Sequence, residues 1–127
     1  MDADKRRLDG MTETIIGCAY KVGNVLGCGF LEKVYENALR MELECEGLSV
    51  LQQHPVMVAY RGQNVGEYVA DLLVGGEVMV ELKAAKNLEE AHLAQCLNYL
   101  KATGLRVCLL VNFGKPRVEI KRVVNNF

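Results

Sequence analysis

The chain has 127 residues, half of them hydrophobic, with two prolines and a formal net charge of −1. These values exclude an intrinsically disordered chain and a strongly basic nucleic-acid coat, and they fit one domain around one core. No apolar run approaches the ~20 residues of a membrane-spanning helix, and the charged N-terminus leads into no signal-like segment, so no membrane partner and a cytoplasmic location are expected.

The five cysteines, Cys18, Cys28, Cys45, Cys96 and Cys108, form no Cys-x-x-Cys pair, which leaves free thiols acting as small apolar groups. Without a global basic field, contact with nucleic acid has to come from a local patch, a metal or a partner.

In chain order, residues 1–10 are polar and are expected to fray. Thr12 is a candidate cap for a first helix, in which Ile15, Ile16, Ala19, Val22, Val25 and Leu26 recur at helical spacing. Gly27-Cys28-Gly29 breaks it. A second helix is predicted from about Phe30 to Glu46, with Gly47 at its C-terminal end. Val50 to Tyr60 reads as a strand, and Pro55 marks it as an edge or a kink.

Gly66 to Val74 and Val78 to Lys83 read as a central strand pair. Asn87 and Glu90 form a capping-box pattern for a third helix from about Leu88 to Thr103, closed by Gly104. Arg106 to Phe113 has the apolar run of a strand covered on both faces, and Val118 to Val123 alternates as a final strand. The order α-α-β-β-β-α-β-β predicts an α/β domain with one mixed sheet, partly parallel because a helix crosses between strands.

The central pair carries the chemistry. Val78, Val80 and Leu82 alternate with Met79, Glu81 and Lys83, so a carboxylate and an amine share one face of an apolar strand. Such charges are costly to bury without compensation. A two-residue Gly75-Gly76 loop would turn Asp71 away from Glu81. A bulged three-residue loop pairing Leu73 with Glu77 puts Asp71 opposite Met79, on the face of Glu81, at roughly 7–8 Å from it diagonally. The bulged register is the expected one.

Glu32 and Tyr35 lie three apart on the second helix, and Gln95 and Tyr99 four apart on the third. Helices covering one sheet face would bring both pairs to the carboxylates. Gln53 is early enough in its strand to reach the cleft. His92, Lys86 and Lys101 read as solvated surface groups, the two lysines with access to phosphates.

Asp71 followed by Glu81-Leu82-Lys83 resembles the D…(D/E)-x-K core of the PD-(D/E)XK nuclease superfamily. Glu32 ahead of it and Gln95-x-x-x-Tyr99 behind it are similar to the extra motifs of the RecB-like branch. Gly29-x-x-Glu32-x-x-Tyr35 resembles the signature of the small GxxExxY protein family within that superfamily. Ala70 stands where the superfamily's name has proline.

The resemblance covers nearly the whole chain. It implies a restriction-endonuclease-like core and phosphodiester hydrolysis, on DNA ahead of RNA. It implies Mg²⁺ or Mn²⁺ held by Glu32, Asp71 and Glu81, with Lys83 positioning water and stabilising charge. Gln95 and Tyr99 would orient the site or touch the strand, with Tyr35 grouped with them unless it only packs. A homodimer or an auxiliary protein partner is expected, because so small and weakly acidic a chain lacks an extended DNA-binding surface. A catalytically weak nucleic-acid-binding module and a homodimeric interaction protein are the alternatives.

Overall fold

The computed structural model describes residues 2–125. The elements are α1 (Asp2–Leu26), α2 (Glu32–Cys45), β1 (Val50–Tyr60), β2 (Gln63–Val74), β3 (Val78–Lys83), α3 (Glu90–Thr103), β4 (Val107–Asn112) and β5 (Glu119–Val124). The order is the expected α-α-β-β-β-α-β-β. The strands form one sheet in the order β1-β2-β3-β4-β5. β3 and β4 run parallel, and the other neighbours are antiparallel.

Residues 2–10 are helical, contrary to the expected fraying, and Thr12 lies inside α1 rather than capping it. The apolar stripe begins earlier than expected. Leu8, Thr12, Ile15, Ala19 and Val22 repeat at intervals of four and three, and all are buried. The Thr12 hydroxyl donates to the Asp9 carbonyl at 2.8 Å, which removes the cost of burying it. Arg7 pairs with Glu77 in the β2–β3 turn, and Arg122 of β5 reaches Asp9 at 2.7 Å. Burial of Leu8 contributes more than these exposed ion pairs do.

α1 and α2 cover one face of the sheet, where Ile15, Tyr35, Leu39 and Leu43 meet Leu72, Val74, Val80 and Leu82. α3 covers the other, with Cys96, Tyr99 and Leu100 against Leu73, Met79, Cys108 and Leu110. β3 and β4 are sandwiched between these layers, which is why their sequences are almost continuously apolar. Truncating Leu39 or Leu100, both fully buried, would cost about 2–5 kcal/mol. The expectation that α2 and α3 share a face is therefore corrected.

The β2–β3 turn differs from the expected register by one pair. Val74 pairs with Val78, Leu73 with Met79 and Leu72 with Val80, so Gly75, Gly76 and Glu77 form the loop. Both glycines have positive φ, of 60° and 70°. Asp71 keeps the expected face but lies next in line opposite Glu81, not Met79. α3 begins at Glu90 with Glu89 as its cap, rather than with Asn87. His92 completes that capping box, its Nδ1 accepting the Glu89 amide at 3.0 Å.

β1 is an edge strand, as Pro55 suggests, and it also kinks. Gln53 sits at φ 54°, in left-handed backbone, between the paired residues Gln52↔Leu72 and His54↔Ala70. Side-chain alternation breaks there. Leu72 and Val74 pack with α1 and α2, whereas Ala70 packs in the α3 layer and Tyr68 meets Tyr99. The outer hairpin thus turns its face toward α3, and groups from both sides of the sheet meet at the kink.

Candidate active site

β2 and β3 part company just where the acidic residues begin. Their paired register ends at Leu72↔Val80. Beyond it the Asp71 amide donates to Glu81 Oε1 at 3.3 Å, and the Leu82 amide donates to Asp71 Oδ2 at 2.8 Å. Each carboxylate thus satisfies a backbone donor that the separating strands leave open. The two acids are side by side at the end of a buried strand, and Glu81 is only 4% exposed.

Burial pushes the Glu81 carboxyl up to about 9, and the neighbouring Asp71 charge adds to the effect. Tyr99 is pushed up to about 12, again first by burial and then by the Glu81 charge. Tyr99 packs in the α3 layer with Met79, two residues before Glu81 on the same strand face. Gln95 Nε2 donates to the Tyr99 hydroxyl at 2.9 Å, and that hydroxyl faces the Val69 carbonyl at 3.5 Å. Lys83 follows on the same strand face as Glu81. Its amine helps the Cys108 hydrogen bond to lower Cys96 on α3. Asp71, Glu81, Lys83, Gln95 and Tyr99 are therefore brought to one region.

Glu32 and Tyr35 are not. α2 packs on the opposite face, and Glu32 at its first position is exposed. Among the described residues no hydrogen bond or ion pair involves the Glu32 side chain. Tyr35 is fully buried, its ring stacked on Phe113 at 4.6 Å with 5° between planes. Its hydroxyl donates to the Gly27 carbonyl at 2.6 Å and accepts the Phe30 amide at 3.1 Å. The Gly29-x-x-Glu32-x-x-Tyr35 pattern thus clasps the α1–α2 loop, where Gly29 adopts φ 116°. The Tyr35 hydroxyl is committed to that clasp, and the Glu32 side chain is exposed at the start of α2.

The acid that α2 does send toward the site is Glu36, one turn on and 4% exposed. Gln53 Nε2 lies 2.9 Å from Glu36 Oε1 and 3.4 Å from Asp71 Oδ1. Gln52 and Lys33 hold Glu36 Oε2 at 2.7 and 3.0 Å. The kink at Gln53 makes this bridge possible, because only there do the two faces exchange. Reading the helix as Tyr35, Leu39 and Leu43 would have flagged Glu36 as an acid among core positions. Asn112 is the other residue that the motifs omit. Fully buried, it exchanges two hydrogen bonds with the Ala85 backbone, at 3.0 and 2.9 Å. That bridge anchors the chain immediately after Lys83.

Among the described residues no three His, Cys, Asp or Glu side chains converge tightly enough to cage an ion. The donor set nonetheless fits a hard divalent cation. Mg²⁺ is commonly bound by one or two carboxylates, with water and phosphate filling the remaining positions. Asp71 and Glu81 supply two carboxylates whose mutual repulsion a cation would relieve.

Comparison with curated proteins gave no match. Among solved structures, the chain is similar to an alkaline exonuclease (LHK-Exo) from Laribacter hongkongensis. The match has 16% identity and a TM-score of 0.48, covering 85% of this chain and 76% of that one. The family model of the PD-(D/E)XK nuclease superfamily matches residues 9–123. With the parted strands, the paired acids and Lys83 all inside that span, the chain belongs to the PD-(D/E)XK nuclease superfamily.

Proposed function

We propose that this protein is a divalent-metal-dependent nuclease that hydrolyses phosphodiester bonds in DNA. The observation that carries this reading is the Asp71–Glu81 pair, held side by side where β2 and β3 separate. Asp71 and Glu81 would hold Mg²⁺ or Mn²⁺, which would acidify a bound water and offset charge on the scissile phosphate. Lys83, on the same strand face as Glu81, would orient the attacking water and stabilise developing charge. Gln95 and Tyr99, locked to each other, orient the substrate side of the pocket. Gln53 fixes the Asp71 carboxylate, and Glu36 holds Gln53 in turn.

A cleavage panel of single- and double-stranded DNA and RNA, with Mg²⁺ or Mn²⁺, tests the proposal. Cleavage should require metal and fall by about a thousand-fold or more in Glu81→Gln and Asp71→Asn, as loss of several kcal/mol of charge stabilisation implies. Cutting that persists in both variants would refute it. Cleavage of RNA alone would move the substrate to the other nucleic acid.

A second reading, a binding module with little turnover, is favoured by one observation. Glu36 is tied up by Gln52, Gln53 and Lys33 rather than aimed at the other two acids. Nucleic-acid binding that survives both substitutions, with no cleavage by the unaltered protein, would select it. Self-association is part of the proposal, supported by the exposed Val25, Phe30, Leu31 and Val34 around the α1–α2 junction. Sedimentation of the purified chain as a monomer would remove it.

A further inference from the structure

Between α3 and the outer half of the β1–β2 hairpin lies a cleft of about 880 Å³ that the paired acids do not account for. Its floor is kept low by small residues such as Ala94 on α3. Tyr68 of β2 stands along it, 53% exposed, with its ring centroid 5.9 Å from that of Tyr99. Asn98 adds an amide, and Lys101 an exposed cation. Gln95 and Tyr99 line the cleft, and the Tyr99 hydroxyl faces the Val69 carbonyl at 3.5 Å, two residues before Asp71, so the cleft runs toward the acids.

The kink at Gln53 creates this cleft. By exchanging the faces of the hairpin, it turns Tyr68 toward α3 instead of toward the α2 side.

We propose that the cleft is a channel for an unpaired nucleic-acid strand, which stacks a base on Tyr68 and leads onward to Asp71 and Glu81. The chemistry favours this occupant over a duplex. A half-exposed aromatic ring offers a face to any base, and amides can meet base edges that are free only in an unpaired strand. A duplex carries a phosphate charge every ~1.7 Å and is usually met by many cations, whereas Lys101 is the lysine or arginine among the residues lining this cleft. The onward path to the acids rests on the nuclease reading; the binding itself does not.

The test uses the full chain carrying Glu81→Gln, in EDTA, so that no cleavage intervenes. Fluorescence anisotropy is measured with labelled oligothymidylate and with a labelled hairpin duplex. Oligothymidylate should bind more tightly than the duplex, and Tyr68→Ala should weaken it by about ten-fold, the loss of one stacked base. Tyr68→Phe should bind within about two-fold of the parent, because stacking needs the ring and not the hydroxyl. Ala94→Trp, which fills the floor from the other side, should also weaken binding, and it decides the matter if Tyr68→Ala unfolds on melting.

Duplex preference, no oligothymidylate binding, or unchanged affinity in the folded variants would overturn the channel. Binding that depends on Tyr68, in a protein that cuts nothing when Glu81 is restored and metal added, would sink the nuclease reading and leave the channel standing. Cutting without dependence on Tyr68 would do the reverse.

Discussion

Asp71 and Glu81 are joined through the backbone as well as through their charges: the Asp71 amide donates to Glu81 Oε1 at 3.3 Å. The next amide along β3, that of Leu82, returns a bond of 2.8 Å to Asp71 Oδ2. Two acids that should repel are thus tied across the gap between their strands. A proton on Glu81 or a cation between them relieves the repulsion, and the consequences are measurable.

Without metal, stability should fall as pH rises from about 4.5 to about 9. The folded chain keeps a proton on Glu81 up to about 9, against 4.5 for the unreacted side chain. Between those values the unfolded state has already released it, so each pH unit costs stability. The Glu81 contribution is full below about 4.5 and lost through about 9. Denaturant melts in EDTA should show a decline on the order of a few kcal/mol that Glu81→Gln, neutral throughout, lacks.

Metal binding should release a proton and strengthen with pH over the same window, since the ligand form of Glu81 is the carboxylate. At ten times Kd, Mg²⁺ or Mn²⁺ should add about 1.4 kcal/mol of stability, some 3–6 °C in Tm. Asp71→Asn should abolish the shift. Calorimetry in two buffers of different ionisation enthalpy would reveal the proton, and equal heats in both would contradict this account.

Gln53 separates strain from function. Gln53→Gly removes the left-handed penalty of a side-chain-bearing residue at φ 54°. It should be more stable than Gln53→Ala by about 1 kcal/mol. Both variants lose the amide between Glu36 and Asp71, so both should lower kcat by about ten-fold or more if that amide orients Asp71. A Gln53→Gly enzyme with full kcat would make the bridge a folding feature only.

Glu32 and Tyr35 should act on stability or not at all. Glu32→Gln should leave metal affinity and cleavage within about two-fold, because its exposed side chain changes no buried contact. Tyr35→Phe strands the Gly27 carbonyl and the Phe30 amide, and should cost about 1–3 kcal/mol with metal affinity unchanged. A large loss of metal binding in Glu32→Gln would return that residue to the site.

Asn112→Ala should be the most costly polar substitution near the site. It frees the Ala85 N–H and C=O and leaves a small buried gap, for about 2–4 kcal/mol. Thermal melts would measure the loss. A kcat effect beyond it would mean that the anchored loop holds Lys83 in place.

Local pattern carried the element order, the parallel crossover and the face shared by Asp71 and Glu81. Strand alternation and the Gly75-Gly76 turn are short-range facts, written in side-chain size and backbone freedom. The Asp71…Glu81-x-Lys83 spacing needs nothing beyond one hairpin. The polar start of the N-terminal helix reads as unpaired from sequence, whereas Leu8, Arg7 and Asp9 find partners on distant elements.

What required the tertiary structure was which helix faces which side of the sheet. The spacing of Tyr35, Leu39 and Leu43 marks Glu36 as an acid among core positions, but it does not say which distant side chains Glu36 will meet there. That choice followed from α1 and α2 sharing one apolar layer and α3 taking the other. It followed also from the kink at Gln53, where strand twist lets the two faces touch. Chain-local chemistry chose the acids; the packing of layers, a property of residues far apart in sequence, chose their companions.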